Sequence, residues 1–105
     1  MNLQYTSVNL FATSLYTRGM NYTIIDVREP YEFDQGHTNG AINIPLGKIE
    51  SGSQKLRELQ KDTPILVYCN SGNRSSQAQA ILHKIGFSNV ANGINKDHAE
   101  QILDR

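Results

Sequence analysis

The most reactive side chain in this sequence is the thiol of Cys69, the only cysteine among the 105 residues. Cys69 follows the apolar run ILVY and precedes a polar segment that leads into a predicted helix. Unpaired N–H groups and the dipole at a helix N-terminus favour thiolate over thiol, and the thiolate is the nucleophilic form. The residues that we expect to bind substrate around this nucleophile are Asn70, Ser71, Gly72, Asn73, Arg74 and Ser75.

Three residues of this segment have properties suited to an anionic sulfur site. Gly72 can adopt backbone conformations closed to other residues, which allows several N–H groups to converge on one point. Arg74 adds a permanent positive charge suited to an anionic sulfur donor, and Ser75 can cap the helix or donate to sulfur. The plainer alternative is an inert buried cysteine followed by a turn glycine and a solvated arginine. The polar surroundings of Cys69 favour the functional interpretation.

The apolar spacing predicts an α/β domain that positions this segment, because helical and extended periods alternate along the chain. Strands are predicted over residues 22–27, 41–44, 65–68 and 87–91. Helices are predicted over residues 8–18, 30–36, 54–59, 75–85 and 96–103. The run ILVY is typical of a strand covered on both faces of a parallel sheet. Ligands bind beyond the carboxyl ends of such strands, which is where Cys69 stands.

Length and composition predict one soluble globular domain covering residues 1–105. The chain has 38% hydrophobic and 19% charged residues, and ten basic residues balance ten acidic ones. This balance favours neither a nucleic-acid partner nor an anionic membrane surface. No apolar run approaches the roughly 20 residues that a membrane span needs. We expect a monomer, whose single cysteine cannot form an internal disulfide.

Three motifs together resemble the rhodanese family. Its active loop runs from a cysteine, through a glycine three positions on, to a residue five positions on, as in Cys69, Gly72 and Arg74. An upstream motif comprises IDVREP at 25–30, EF at 32–33, GH at 36–37 and GAINIP at 40–45. A third comprises GF at 86–87, NV at 89–90 and GI at 93–94. Within the family, VYCNSG at 67–72 followed by SQA at 76–78 is most similar to the phage shock protein E group.

This resemblance implies a rhodanese-like three-layer fold with a parallel sheet of about five strands and helices on both faces. It also implies a sulfurtransferase that carries sulfane sulfur as a persulfide on Cys69. The donor would be thiosulfate or a similar small anion, and the acceptor cyanide or a thiol such as thioredoxin or glutathione. No metal or organic cofactor is implied.

The sequence departs from the commonest family pattern at two places. Asn70 follows the cysteine where many thiosulfate-using members have arginine, so one contact to an anion is missing. Asn92, Gly93 and Ile94 stand where the family usually has two glycines and a tryptophan. The first departure weakens the expectation of a thiosulfate preference.

Other functions and other roles stay open at this point. A rhodanese fold can serve as a catalytically weak binding or sulfur-carrier module. A cysteine phosphatase or arsenate reductase also attacks from a loop between cysteine and arginine, but that loop is one residue longer. Asp26 and Arg28 could brace the active loop, although a surface ion pair of little energetic value is at least as good an interpretation. We interpret His37 as a structural turn residue.

The expected location is the cytoplasm. The first residues, MNLQYTSVNLF, lack the basic and apolar regions of a signal peptide. The phage shock protein E group is periplasmic, so the alternative is a periplasmic protein whose signal peptide is absent from this sequence.

Overall fold

A parallel sheet of four strands lies at the centre of the computed structural model, which describes residues 21–104. The strands are β1 (Thr23–Asp26), β2 (Ile42–Asn43), β3 (Ile65–Cys69) and β4 (Val90–Asn95). Their spatial order is β2-β1-β3-β4, and all neighbouring pairs are parallel. The two central strands, β1 and β3, are therefore covered at both edges.

Of the five helices among the described residues, four connect these strands and the fifth follows the last strand. They are α1 (Pro30–Asp34), α2 (Leu46–Ser51), α3 (Gln54–Arg57), α4 (Asn73–Lys84) and α5 (Lys96–Leu103). The chain passes from β3 through α4 to β4, so the N-terminus of α4 lies just beyond the carboxyl end of β3. This is the crossover geometry that the sequence predicts for the segment after Cys69.

Helices cover both faces of the sheet, as the rhodanese resemblance implies. On one face, Ile25 and Val67 pack in a core that includes Leu56 of α3 and Leu82 of α4. On the other, Leu66 and Tyr68 pack against residues of α5. All five residues of β3 are buried, because both faces of the strand are covered. Cys69 belongs to the first face, together with the side chains that contact α4.

The predicted fold class is confirmed, and some element bounds differ. The sheet has four strands within residues 21–104 where the family resemblance implies about five, and the helix predicted over 8–18 lies outside the described residues. The last strand spans 90–95, not 87–91, because buried Phe87 closes the end of α4, where its N–H donates to the Leu82 carbonyl. Helix α2 was not predicted, since a helix of six residues with one buried apolar side chain has too short a periodic pattern.

Candidate active site

The sulfur of Cys69 lies where β3 ends and the first turn of α4 begins. The Cys69 Sγ atom accepts hydrogen bonds from the backbone N–H groups of Gly72 at 3.1 Å and Ser75 at 3.4 Å. Only 1% of the Cys69 surface is exposed, so the loop covers the sulfur that the sequence predicts to be surrounded by polar groups. The arrangement provides backbone donors aimed at one sulfur atom.

Gly72 gives the loop the conformation that these hydrogen bonds require. It caps α4 with φ of 96°, in the left-handed region that favours glycine. A Cβ atom at Gly72 would also stand 3.1 Å from the Cγ2 atom of Ile94. Gly72 therefore fills the conformational role predicted for it, and any larger residue would move the N–H group away from sulfur.

Burial and hydrogen bonding act in opposite directions on the thiol of Cys69. Burial raises the pKa of Cys69, whereas hydrogen bonds from the Ser75 side chain and from the backbone of Ser75, Gly72 and Ser71 lower it. The hydrogen bonds outweigh burial, so the pKa of Cys69 lies below its ordinary value of 9.0. A larger fraction of thiolate at neutral pH follows from this balance.

The hydroxyl of buried Ser75 is part of a short polar chain behind the sulfur. Ser75 Oγ lies 3.5 Å from Cys69 Sγ and 2.7 Å from the Oδ1 atom of Asn92. The same oxygen lies 3.2 Å from the Gly72 carbonyl. Ser75 was predicted to cap α4 or contact sulfur, and the second arrangement is the one found. Asn92 was not predicted to belong to the site.

Glu32 of α1 organises the outer side of the loop. Its carboxylate accepts hydrogen bonds from both terminal nitrogens of Arg74, at 2.7 and 3.1 Å, and from Asn70 Nδ2 at 2.9 Å. It also accepts from the backbone N–H of Glu29, which fixes the start of α1. Hydrogen bonding to Arg74 is the largest cause that lowers the pKa of Glu32 to about 2. Glu32 is thus ionised at neutral pH.

Two of the loop side chains predicted to bind substrate contact Glu32. Arg74 and Asn70 direct donors to this carboxylate, so the charge of Arg74 is balanced within the protein. Ser71 Oγ accepts a hydrogen bond from the backbone N–H of Asn73, and both residues are exposed. Of the predicted segment, the structure brings to the sulfur the backbone N–H groups of Gly72 and Ser75, the Ser75 hydroxyl and the backbone of Ser71.

Asp26 and Arg28 form a buried ion pair, which corrects their interpretation as a surface pair. Asp26 is fully buried, Arg28 is 8% exposed, and their closest approach is 2.7 Å. Arg28 also donates to the Gly36 carbonyl, and its guanidinium lies 5.6 Å from the centre of the Tyr68 ring. Hydrogen bonding to Asp26 raises the pKa of Arg28. The pair holds the chain after β1 in place, on the sheet face opposite Cys69.

His37 lies in the turn predicted for it. Its ring stacks on Phe33 with centroids 3.6 Å apart, and its Nδ1 atom is 2.8 Å from the Phe33 carbonyl. Within residues 21–104, three or more His, Cys, Asp or Glu side chains nowhere come together as a metal-binding group would require. In the same residues, every helix is too short or too polar to cross a membrane.

The fold, the loop and the upstream motif are similar to those of known proteins. The protein-family model for the rhodanese-like domain matches residues 12–98 of this chain. This chain belongs to the rhodanese family. Over 68 residues it is 43% identical to thiosulfate sulfurtransferase PspE of Escherichia coli, covering 65% of this chain and 64% of PspE. This similarity agrees with the resemblance to the phage shock protein E group.

Two further proteins show the range of the family. The putative sulfur carrier protein YrkF of Bacillus subtilis is 39% identical over 69 residues, which cover 66% of this chain and 36% of YrkF. A structure of an Escherichia coli rhodanese with anions has a TM-score of 0.66 and 35% identity, and the match covers 74% of this chain and 91% of that one. The chain therefore spans about a third of the length of YrkF and just under two-thirds of the length of PspE.

Proposed function

We propose that this protein is a sulfurtransferase that carries a sulfane sulfur as a persulfide on Cys69. The observation that supports this most directly is the pair of N–H groups, from Gly72 and Ser75, that point at the Cys69 sulfur. The same donors stabilise an attacking thiolate before transfer and a persulfide anion after it. The name of the PspE relative supports the same reaction class.

The proposed reaction has two balanced steps. With thiosulfate as donor, the thiolate of Cys69 attacks the outer sulfur atom, a new S–S bond forms, and the donor's S–S bond breaks to release sulfite. The electron pair of the broken bond leaves with sulfite, and the new terminal sulfur keeps a negative charge. A nucleophilic acceptor, cyanide or a thiolate, then attacks this terminal sulfur and regenerates the thiolate of Cys69.

Because Glu32 balances the charge of Arg74, we favour a sulfur donor whose binding does not need an unpaired cation in the loop. Glu32 accepts from Arg74 and Asn70, so backbone N–H groups are the main donors available to an anion near Cys69. A small persulfide, such as that of glutathione, carries its negative sulfur in a form that these groups can bind. The same observation favours a second candidate function, a sulfur carrier that exchanges persulfide with a partner's thiol. The relative named as a putative sulfur carrier supports this alternative.

Intact-protein mass spectrometry tests the proposal. We expect the wild type to gain one sulfur atom after incubation with thiosulfate or glutathione persulfide, and to lose it on addition of cyanide. Because Cys69 is the only cysteine, Cys69→Ser should gain no sulfur under the same conditions. Ser76→Ala, which changes an exposed residue of α4, serves as the matched control and should behave as the wild type.

Turnover separates the enzyme from the carrier. Repeated thiocyanate formation with excess donor and cyanide supports the sulfurtransferase, whereas a single equivalent of bound sulfur with slow release supports the carrier. A wild-type protein that gains no sulfur from either donor would contradict both candidates.

A further inference from the structure

The hydroxyl group of Ser75 has one proton and three neighbours that can accept it. The neighbours are the thiolate form of Cys69 at 3.5 Å, the Gly72 carbonyl at 3.2 Å and Asn92 Oδ1 at 2.7 Å. The Asn92 contact is the shortest and matches the usual length of a hydroxyl hydrogen bond. While Cys69 is a thiol, its S–H can donate to Ser75 Oγ as Ser75 donates to Asn92, and every group is satisfied.

The backbone of β4 fixes the acceptor oxygen of Asn92 in this position. The register of β3 with β4 shifts at Gly93, where Val67 pairs with Asn92 and Tyr68 pairs with Ile94. Asn92 therefore shares the sheet face of Val67 and Cys69. The N–H of Ile94 donates to Asn92 Oδ1 at 2.9 Å, which requires the amide oxygen, not the amide nitrogen, to face Ser75.

Loss of the Cys69 proton changes this arrangement. A thiolate has no proton to give, so the Ser75 hydroxyl can stabilise it only by turning away from Asn92 and donating to sulfur. If the hydroxyl stays on Asn92, its lone pairs face the negative sulfur. Asn92 and the thiolate therefore compete for one proton, and while this proton lies on Asn92 the donors left to the sulfur are the backbone N–H groups.

We propose that Asn92 is a positioning residue that competes with the Cys69 thiolate for the Ser75 hydroxyl, weakens the hydrogen bond from this hydroxyl to sulfur, and so keeps the sulfur more basic and more nucleophilic. This inference rests on the function proposed above, because it concerns the reactivity of the same sulfur. The nucleophilicity of a thiolate falls as its pKa falls, with a slope of about 0.4 to 0.5 on a logarithmic scale. Asn92 thus lowers the fraction of Cys69 that is thiolate at neutral pH and raises the rate at which each thiolate attacks.

Replacing Asn92 removes no charged or titratable group around Cys69. Arg74 at the start of α4 is the cation near the sulfur, and its charge is balanced by Glu32 of α1. The remaining groups on adjacent elements are paired, exposed, bound to backbone or on the other sheet face. They are Asp26 with Arg28, Lys96 with Glu100, Lys48 and Glu50 on α2, His83 on the Phe87 carbonyl, His98 on the Gly93 carbonyl, and Tyr68 on the opposite face of β3. A change in the midpoint of the Cys69 titration would therefore show whether the Ser75 hydroxyl donates to the sulfur.

The test is the rate of alkylation by iodoacetamide as a function of pH, a reaction that needs no sulfur donor. We expect Asn92→Ala to lower the midpoint of the profile by about half to one pH unit, the equivalent of one ordinary hydrogen bond. The limiting rate at high pH should fall about 1.5- to 3-fold, as the slope for thiolates requires. Asn92→Gly removes the same acceptor with a different backbone preference and should give the same shift.

Ser75→Ala provides the control, because it distinguishes an effect of Asn92 through the Ser75 hydroxyl from a purely structural effect of Asn92. In the Ser75→Ala background, Asn92→Ala should leave the midpoint unchanged, because no hydroxyl proton remains to be shared. An equal shift in both backgrounds, or no shift in the wild-type background, would overturn the proposal. Alkylation behaves independently of persulfide formation, so a protein that showed these shifts but gained no sulfur would contradict the proposed function and leave the role of Asn92 standing.

Discussion

Replacing Glu32 with glutamine tests whether one carboxylate holds the active loop to α1. Glu32→Gln keeps the size of the side chain and one acceptor oxygen, but it removes the charge that pairs with Arg74. The two carboxylate oxygens of Glu32 now accept hydrogen bonds from Arg74, Asn70 and the Glu29 N–H. Glutamine replaces one of these oxygens by an amide nitrogen, which cannot accept a hydrogen bond. We expect a less stable protein at neutral pH and little difference in strong acid.

The pKa of Glu32 sets the size and the pH range of this effect. Its value of about 2, against an ordinary 4.5, corresponds to an upper limit of about 3 kcal/mol at 1.36 kcal/mol per unit. The Arg74 side chain is 31% exposed, so solvent screening reduces the expected loss to about 1 to 2 kcal/mol. Because the folded-state pKa is lowered, this stability is present above pH 4.5 and is lost as the pH falls towards 2.

Urea unfolding of the wild type and Glu32→Gln at several pH values between 7 and 3 measures this difference. The gap in free energy of unfolding should be constant from pH 7 to about 5 and then shrink towards pH 3. Glu58→Gln is the matched control, since Glu58 is exposed and its Oε2 lies a long 3.4 Å from Gln54 Nε2. A gap of the same size at pH 3 and pH 7 would refute the role assigned to the Glu32 charge.

Four further results are expected from the same geometry. Cys69→Ser should keep the far-ultraviolet circular dichroism of the wild type but form no thiocyanate, and any turnover by it would remove Cys69 from the mechanism. Arg74→Ala should raise the KM for thiosulfate about 3- to 10-fold at low salt by leaving Glu32 unpaired, and adding Glu32→Gln should restore it. Asp26→Asn should lower the free energy of unfolding by about 3 to 5 kcal/mol in urea titrations, because it leaves buried Arg28 without its counter-charge. The wild type should not hydrolyse aryl phosphates, and turnover of such a substrate without sulfur uptake would favour the phosphatase alternative.

Local patterns were sufficient to predict much of the fold. The apolar run before Cys69 predicts a strand buried on both faces, and the structure has β3 there. The spacing over 96–103 predicts α5 with the bounds that the structure shows. By contrast, the position of β4 depends on where Phe87 packs, which is a tertiary contact. Short α2 contributes one buried apolar residue, too little for a periodic signal.

The candidate site divides in the same way between local and distant contacts. A cysteine before a helix N-terminus with a glycine three residues on predicts the backbone donors at the sulfur, which are local. The partner of Arg74 lies 42 residues away in the sequence, and no spacing rule links it to Glu32. The only available signal was the presence of Glu32 in the upstream motif. Asp26 and Arg28 are two residues apart, but their burial depends on Tyr68 and Gly36, so their spacing alone could not distinguish a buried pair from a surface pair.

The ion pair and the backbone donors of the site affect the Cys69 sulfur in different ways. Arg74, the cation nearest in sequence to Cys69, is neutralised by Glu32, so the pair exerts only a weak and short-ranged field at the sulfur. The N–H groups of Gly72 and Ser75 are fixed dipoles within hydrogen-bond distance of Sγ, in a place with almost no solvent exposure. Buried dipoles are screened by salt much less than exposed charges. It follows that Glu32 and Arg74 hold the loop in shape, whereas the backbone N–H groups supply most of the electrostatic stabilisation of a negative charge on Sγ.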